Sequence, residues 1–179
     1  GLSITYALIE RGSGVDWVKL WYQKEGEKSW TPYGEDRKAE SPFMAKLPEG
    51  RYGLRLQAGD RAGNASQAPT ADDPPTQVFL LDWTPPRVTL LAAPAGDFKG
   101  GETVAAGWES SDEHFGERPI SIEFSRDGGG AWTPYQQALE NKGRARFDLP
   151  AGGAESFSLR VKAVDDAGNV AYSETSAPF

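Results

Sequence analysis

Cysteine is missing altogether from the 179 residues, and histidine and methionine occur once each. The first absence removes disulfides, thiol nucleophiles, iron–sulfur clusters and cysteine-based zinc sites, and leaves the compartment open, because an extracellular module can dispense with bridges. No apolar run approaches the roughly 18 residues of a spanning helix, so no membrane insertion is expected, and the opening GLSITYALIE is too short and polar for a signal peptide. Basic residues are the minority, 19 Lys and Arg against 26 Asp and Glu for a net charge of −7. They are scattered along the chain, and an acidic surface repels phosphate backbones, which argues against nucleic acid as a partner. Catalytic patterns are missing as well. The single histidine, His114 in SSDEHFGE, reads as solvated in an acidic loop, no serine stands on a strand-to-helix elbow, and no glycine-rich phosphate loop precedes a helix. Adjacent carboxylates at Asp72/Asp73, Asp112/Glu113 and Asp165/Asp166 lie in loops, which do not fix the separation that glycosidic chemistry requires. The chain reads as a non-enzyme with no required cofactor.

What is abundant is turn material, 21 Gly and 13 Pro, with 11% aromatics for a core. The tetrapeptide Trp-Thr-Pro-Tyr occurs twice, at Trp30–Tyr33 and Trp132–Tyr135, an offset of 102 (132 − 30). At that offset Val18, Leu20 and Tyr22 align with Ile120, Ile122 and Phe124, each set alternating apolar and polar as a one-sided strand does. Ile4, Tyr6 and Leu8 alternate likewise, as do Val104, Ala106 and Trp108, and the two sets match through Tyr6 and Trp108. RYGLRLQAGDRAGN then aligns with SFSLRVKAVDDAGN at an offset of 105 (169 − 64), so the second copy carries three extra residues, placed in the loop AGGAE. The segment PYQQALENKG offers a single helical turn at most. Many short strands with one wet face predict two tandem β-sandwiches, an all-β fold with residues 1–82 in the first domain and 83–179 in the second. Pro85-Pro86 stiffens the connection, and nothing before Ile4 matches DWTPPRVTLLAAP, so the first domain is expected to lack its initial strand, as in a piece of a longer protein. Trp17, Trp21, Trp30, Trp108 and Trp132 are assigned mainly to packing.

The stretches ISIEFSRDGGGAWTPY, FDLPAGG, SLRVKAVDDAGN and DWTPPRVTLL resemble the fibronectin type III-like and immunoglobulin-like repeats of large bacterial secreted or surface proteins. Ser125, Asp127, Gly129 and Trp132 also fit the S-x-D-x-G-x-x-W spacing of the Asp-box of sialidases and other β proteins, where the box is a hairpin turn remote from catalysis. The first copy has Gln23, Glu25 and Glu27 in place of Ser125, Asp127 and Gly129, which a rebuilt turn tolerates and a catalytic group does not. The resemblance implies a structural, spacer or adhesive module of an extracellular, cell-surface or periplasmic protein. Its expected partners are the neighbouring domains of the parent and an unidentified surface protein or polysaccharide, with the module itself a monomer.

Three sets of residues are candidates for more than packing. The turn residues are Ser125, Asp127, Gly129 and Trp132, with the repeated signatures Asp60, Gly63, Asn64 and Asp165, Gly168, Asn169. In these turns an Asp side chain caps a hairpin whose Gly and Asn are expected to be left-handed. Asn64-Ala65-Ser66 also matches a glycosylation sequon. A calcium site near the domain joint is drawn from Asp82, Asp112, Glu113, Asp165 and Asp166, with Glu117 and Asn169 close by, because hard oxygen ligands from several loops suit Ca²⁺. The first domain offers only Glu10, Asp16 and Asp60 for the same purpose. Finally, Trp17, Trp21, Trp83 and Tyr172 would form the stacking platform of a carbohydrate-binding accessory module of a secreted enzyme.

Overall fold

The computed structural model describes residues 2–8, 14–94, 96, 98–149, 156–176 and 178–179. Glu10 and the AGGAE insertion lie outside them. The chain divides into two compact units, Gly1–Asp82 and Trp83–Phe179. Among the described residues no helix is long and apolar enough to cross a membrane.

In the second unit a three-stranded sheet faces a four-stranded one. The first contains β7 (Arg87–Ala92), β8 (Thr103–Ser111) and β11 (Arg144–Asp148) in the order β11-β8-β7. The second contains β9 (Ile120–Ser125), β10 (Thr133–Leu139), β12 (Ser158–Val164) and β13 (Val170–Glu174) in the order β10-β9-β12-β13. All pairings are antiparallel. Alternation sends Val104, Ala106, Trp108, Ile120, Ile122, Phe124, Leu159, Val161 and Ala163 into the space between the sheets, where they form one core with Phe147, Leu149 and Phe157. This is an immunoglobulin-like sandwich of the class that includes fibronectin type III domains.

Among the described residues the first unit repeats the arrangement with fewer strands. β2 (Val15–Lys24), β3 (Thr31–Asp36), β5 (Gly50–Asp60) and β6 (Gln77–Leu81) form a sheet ordered β3-β2-β5-β6, and β1 (Leu2–Ile4) pairs with β4 (Phe43–Ala45). Ile4, Val18, Leu20, Phe43, Ala45 and Leu54 fill its core. The register follows the repeat: Leu2↔Ala45 corresponds to Val104↔Phe147, and Tyr22↔Thr31 to Phe124↔Thr133. Leu54↔Tyr22 likewise corresponds to Leu159↔Phe124. The repeated Trp-Thr-Pro-Tyr earns its place through the tyrosine. Tyr33 Oη accepts from Lys46 N–H at 2.8 Å, and Tyr135 Oη donates to the carbonyl of Asp148, so each ring ties one sheet of its unit to the end of the other.

Three expectations are corrected. The segment read as a helical turn is strand β10, whose register shifts twice and where Ala138 takes φ 54°. An edge strand needs few apolar residues, which hid it from the periodicity. The strand opening the first unit ends at Ile4, short of Tyr6 and Leu8. Trp132 is not in the core: its half-buried ring lies on Arg160, whereas Trp108 is 2% exposed and does belong to the core.

Candidate functional site

The two signature turns are held by the same hydrogen bonds. Asp165 Oδ1 accepts from the N–H groups of Ala167 and Asn169 at 2.9 and 2.8 Å, and Oδ2 from Asn169 Nδ2 at 2.8 Å. Asp60 accepts from Asn64 N–H and Nδ2, both at 2.9 Å. Gly63 and Gly168 take φ of 89° and 91°, a conformation in which a side chain would be strained. The asparagines are not left-handed; they serve as donors instead. The sequon residues are engaged in the same structure, since Ser66 Oγ accepts from Ala58 N–H at 3.0 Å.

The turn after β9 is built differently. Ser125, 1% exposed, accepts from Gly129 N–H at 2.8 Å and donates to Asp127 Oδ1 at 2.6 Å, and that oxygen also accepts from Ala131 N–H at 2.9 Å. These bonds, the Ser125 hydroxyl first and the Ala131 amide next, hold the Asp127 carboxyl below the usual carboxylate range. Gly128 and Gly129 take φ of 73° and 102°. A Cβ at Gly130 would stand 2.9 Å from Asp127 Oδ2, so all three glycines of the run are required.

The acidic residues of the second unit occupy two loops that touch. Asp166 N–H donates to the His114 carbonyl at 2.9 Å, and a Cβ at Gly116 would stand 2.6 Å from Asp166 Oδ1. Asp112 Oδ1 accepts from His114 N–H at 2.7 Å, and Asp112 and His114 bring possible ligand atoms within 4.8 Å of each other. Glu113, Glu117 and Asp166 are exposed, and Asp165, 6% exposed, has both oxygens engaged in its own turn. His114, read as solvated, is half-buried. Asp82, half-buried, closes the first unit directly after β6, and Asp16, also half-buried, lies in β2.

The aromatic candidates do not share one sheet. Trp17 and Trp21 lie on the outward side of β2, both half-buried. Trp17 covers Gly59, where a Cβ would stand 2.3 Å from its ring, and Lys19 Nζ sits 5.4 Å from the ring centroid. Trp21 Nε1 donates to Gln57 Oε1 at 3.1 Å. Trp83, 61% exposed, opens the second unit, and Tyr172, 49% exposed, lies on β13.

Tyr172 belongs to a cluster that sequence reasoning missed. The guanidinium of Arg160 is stacked 4.4 Å from the Trp132 ring and 4.2 Å from the Tyr172 ring, and its Nε and Nη2 both reach Glu123 Oε2 at 2.6 Å. Glu123 is only 6% exposed. The signal was present in the alternation, which puts Glu123 and Arg160 on the outward side of neighbouring strands. Their direct pairing follows only from the register.

No protein-family model matches the sequence, and no curated protein does. Among solved structures, the chicken CNTN1 FN1-FN3 domains are similar to this chain at 15% identity and a TM-score of 0.46, over 98% of this chain. The chain spans 60% of the length of that structure. The strand order described above, and not this likeness, assigns the fold.

Proposed function

We propose that the chain is a pair of non-catalytic modules of a larger extracellular or cell-surface protein, of the kind found in large bacterial surface proteins, with a spacer or adhesive role. The observation that carries this reading is where the repeated polar residues go. Tyr33 and Tyr135 join sheets within their units, and Asp60 and Asp165 close turns, so the side chains present in both copies are engaged in holding strands together. The partners are then the neighbouring domains of the parent and an unidentified surface protein or polysaccharide.

A carbohydrate-binding role is the second reading, favoured by Trp17 and Trp21 on one outward face with Gln57 on the neighbouring strand. Affinity electrophoresis through gels containing soluble polysaccharides separates the two. Retardation that disappears in a Trp17→Ala/Trp21→Ala variant of unchanged melting temperature supports sugar binding. Equal mobility of both proteins in every gel supports the spacer. Calcium is the one cofactor within the proposal. With Asp165 engaged in its turn, Asp112, Glu113 and Asp166 would supply the ligands, and their touching loops support the idea. Calorimetric titration of chelator-treated protein tests it, and neither heat nor a melting shift at millimolar Ca²⁺ removes the ion.

A further inference from the structure

The outward face of the first unit's four-stranded sheet carries Trp17, Lys19 and Trp21 of β2 opposite Gly59, Gln57 and Arg55 of β5. Both indoles are half-buried, and both are fixed in place. Three atoms of the Trp17 ring would stand 2.3, 2.4 and 2.5 Å from a Cβ at Gly59, so one face of the ring rests on the glycine and the other is turned away from the sheet. Trp21 is held by its edge: Nε1 donates to Gln57 Oε1 at 3.1 Å, and Gln57 Nε2 donates in turn to the Ser66 carbonyl at 2.7 Å. Neither arrangement exists in the second unit, where Pro119, Glu123, Lys162 and Val164 stand in place of Trp17, Trp21, Gln57 and Gly59. Each ring also has an ion pair beside it. Lys19 Nζ lies 5.4 Å from the Trp17 ring centroid and 3.3 Å from Glu35 of β3. Arg55, opposite Trp21, meets Asp73 at 2.9 Å.

A fixed aromatic face beside a donor and an acceptor of cancelling charge suits a pyranose, whose C–H face stacks on the indole while its hydroxyls both donate and accept. The motif occurs twice along one strand. Four residues separate Trp17 from Trp21, about 13 Å of strand, more than one pyranose spans. We infer, resting on the carbohydrate reading above, that β2 carries two subsites for the interior of one linear, neutral polysaccharide lying along the strand over Trp17 and Trp21. Charge selects the class. Each outward cation of β2 and β5 is held by a carboxylate, Lys19 by Glu35, Arg55 by Asp73 and Arg51 by Glu25 at 3.7 Å. A uronate or sulfate group would therefore have to displace an acid already in place, whereas a hydroxyl can use both members of a pair. The seats of the two rings are set before any ligand arrives, so little ordering opposes binding.

Calorimetric titration of the full chain with neutral xylan, mannan and β-glucan oligosaccharides, from disaccharide to hexasaccharide, tests this. Affinity is expected to rise by about tenfold or more between the disaccharide and the length that reaches both rings, and then to level off. It is expected to hold constant between about 50 and 500 mM salt. Trp17→Ala and Trp21→Ala, each at unchanged melting temperature, should reduce the hexasaccharide to the affinity of the disaccharide. Gln57→Ala, which frees Trp21 without touching the core, should weaken the hexasaccharide by about threefold. Equal affinity for disaccharide and hexasaccharide overturns the two subsites. Salt-sensitive binding of polygalacturonate or heparin, with none of the neutral chains, overturns the neutral class, and both results leave the carbohydrate reading standing. No binding of any of these chains, neutral or acidic, removes that reading as well. Self-association in sedimentation that the double alanine variant abolishes also overturns the inference, because a second copy then covers the face.

Discussion

Replacing Arg160 by Ala is the most informative single perturbation of the second unit. It leaves the Glu123 carboxylate, 6% exposed, without the guanidinium that both Nε and Nη2 present to it at 2.6 Å. Removing one partner of a fully buried pair costs about 3–5 kcal/mol, because the remaining charge stays desolvated. The Arg160 side chain keeps 20% of its exposure, so water screens part of this and about 2–3 kcal/mol remains. Losing the contacts with Trp132 and Tyr172 adds about 0.5–1 kcal/mol for each ring. The total is about 3–5 kcal/mol, a fall in melting temperature of roughly 12–40 °C for a domain of this size. Urea unfolding, with hydrogen exchange in β9 and β12 to isolate the second unit, measures it. Adding Glu123→Ala to Arg160→Ala is expected to recover part of the loss, since it removes the stranded charge. A cost below about 1 kcal/mol for Arg160→Ala, or strictly additive losses in the double variant, would refute the reasoning.

Two further outcomes follow from the turns and the outer face. Asp127→Asn is expected to lower the melting temperature at neutral pH and to have a vanishing effect in acid. The folded carboxyl is held below its unfolded value, so its contribution is present above about pH 4 and is lost as pH falls through the depressed value. A melting difference of equal size at pH 7 and pH 2.5 contradicts the assignment. Gly59→Ala places a Cβ 2.3 Å from the Trp17 ring, so the indole must leave its seat at a cost of roughly 1–3 kcal/mol. Trp emission should shift to the red, and unchanged emission and denaturant midpoint would show that Trp17 does not lie on that glycine.

Much of the fold was legible because a sandwich core is periodic. Val18 and Leu20, like Ile120 and Ile122, fall inside at the positions their alternation indicates, and the offsets of 102 and 105 turn out to be registers of pairing. The illegible parts lie where pairing, not burial, decides. β10 is an edge strand with few apolar residues and two register shifts, so neither period shows in PYQQAL. Residues 5–8 carry a strand pattern, yet among the described residues no strand pairs with them and β1 stops at Ile4. Trp132 and His114 meet Arg160 and the 165–169 turn, which are distant in sequence, and composition carries no trace of either contact.

The outward faces show what the repeat does and does not preserve. Inward positions stay apolar in both units: Val18 and Ile120, Leu20 and Ile122, Leu54 and Leu159, Ala58 and Ala163. Outward ones change freely, from Trp21 to Glu123 and from Gln57 to Lys162, because the core volume does not constrain them. Arg55 and Arg160 are an exception, the same residue at one outward position with different partners. In the second unit the counter-charge is Glu123 on the neighbouring strand. In the first unit that place is taken by Trp21, and Arg55 turns to Asp73 at 2.9 Å and to the Pro74 carbonyl at 3.1 Å. Both belong to a long excursion, the loop that runs from the end of β5 to the start of β6. Thr76 N–H donates to the Leu54 carbonyl as Thr175 N–H donates to that of Leu159, so the excursion holds six extra residues (76 − (175 − 105)). Asp73 is itself fixed by Thr70, whose N–H and hydroxyl hold its carboxyl below the usual range, and Pro75 fills the space over Gly53. The excursion is therefore a pinned substitute for the missing cross-strand acid, and by replacing Glu123 in that role it allows a tryptophan on the outward face of β2, where the first unit differs most from the second.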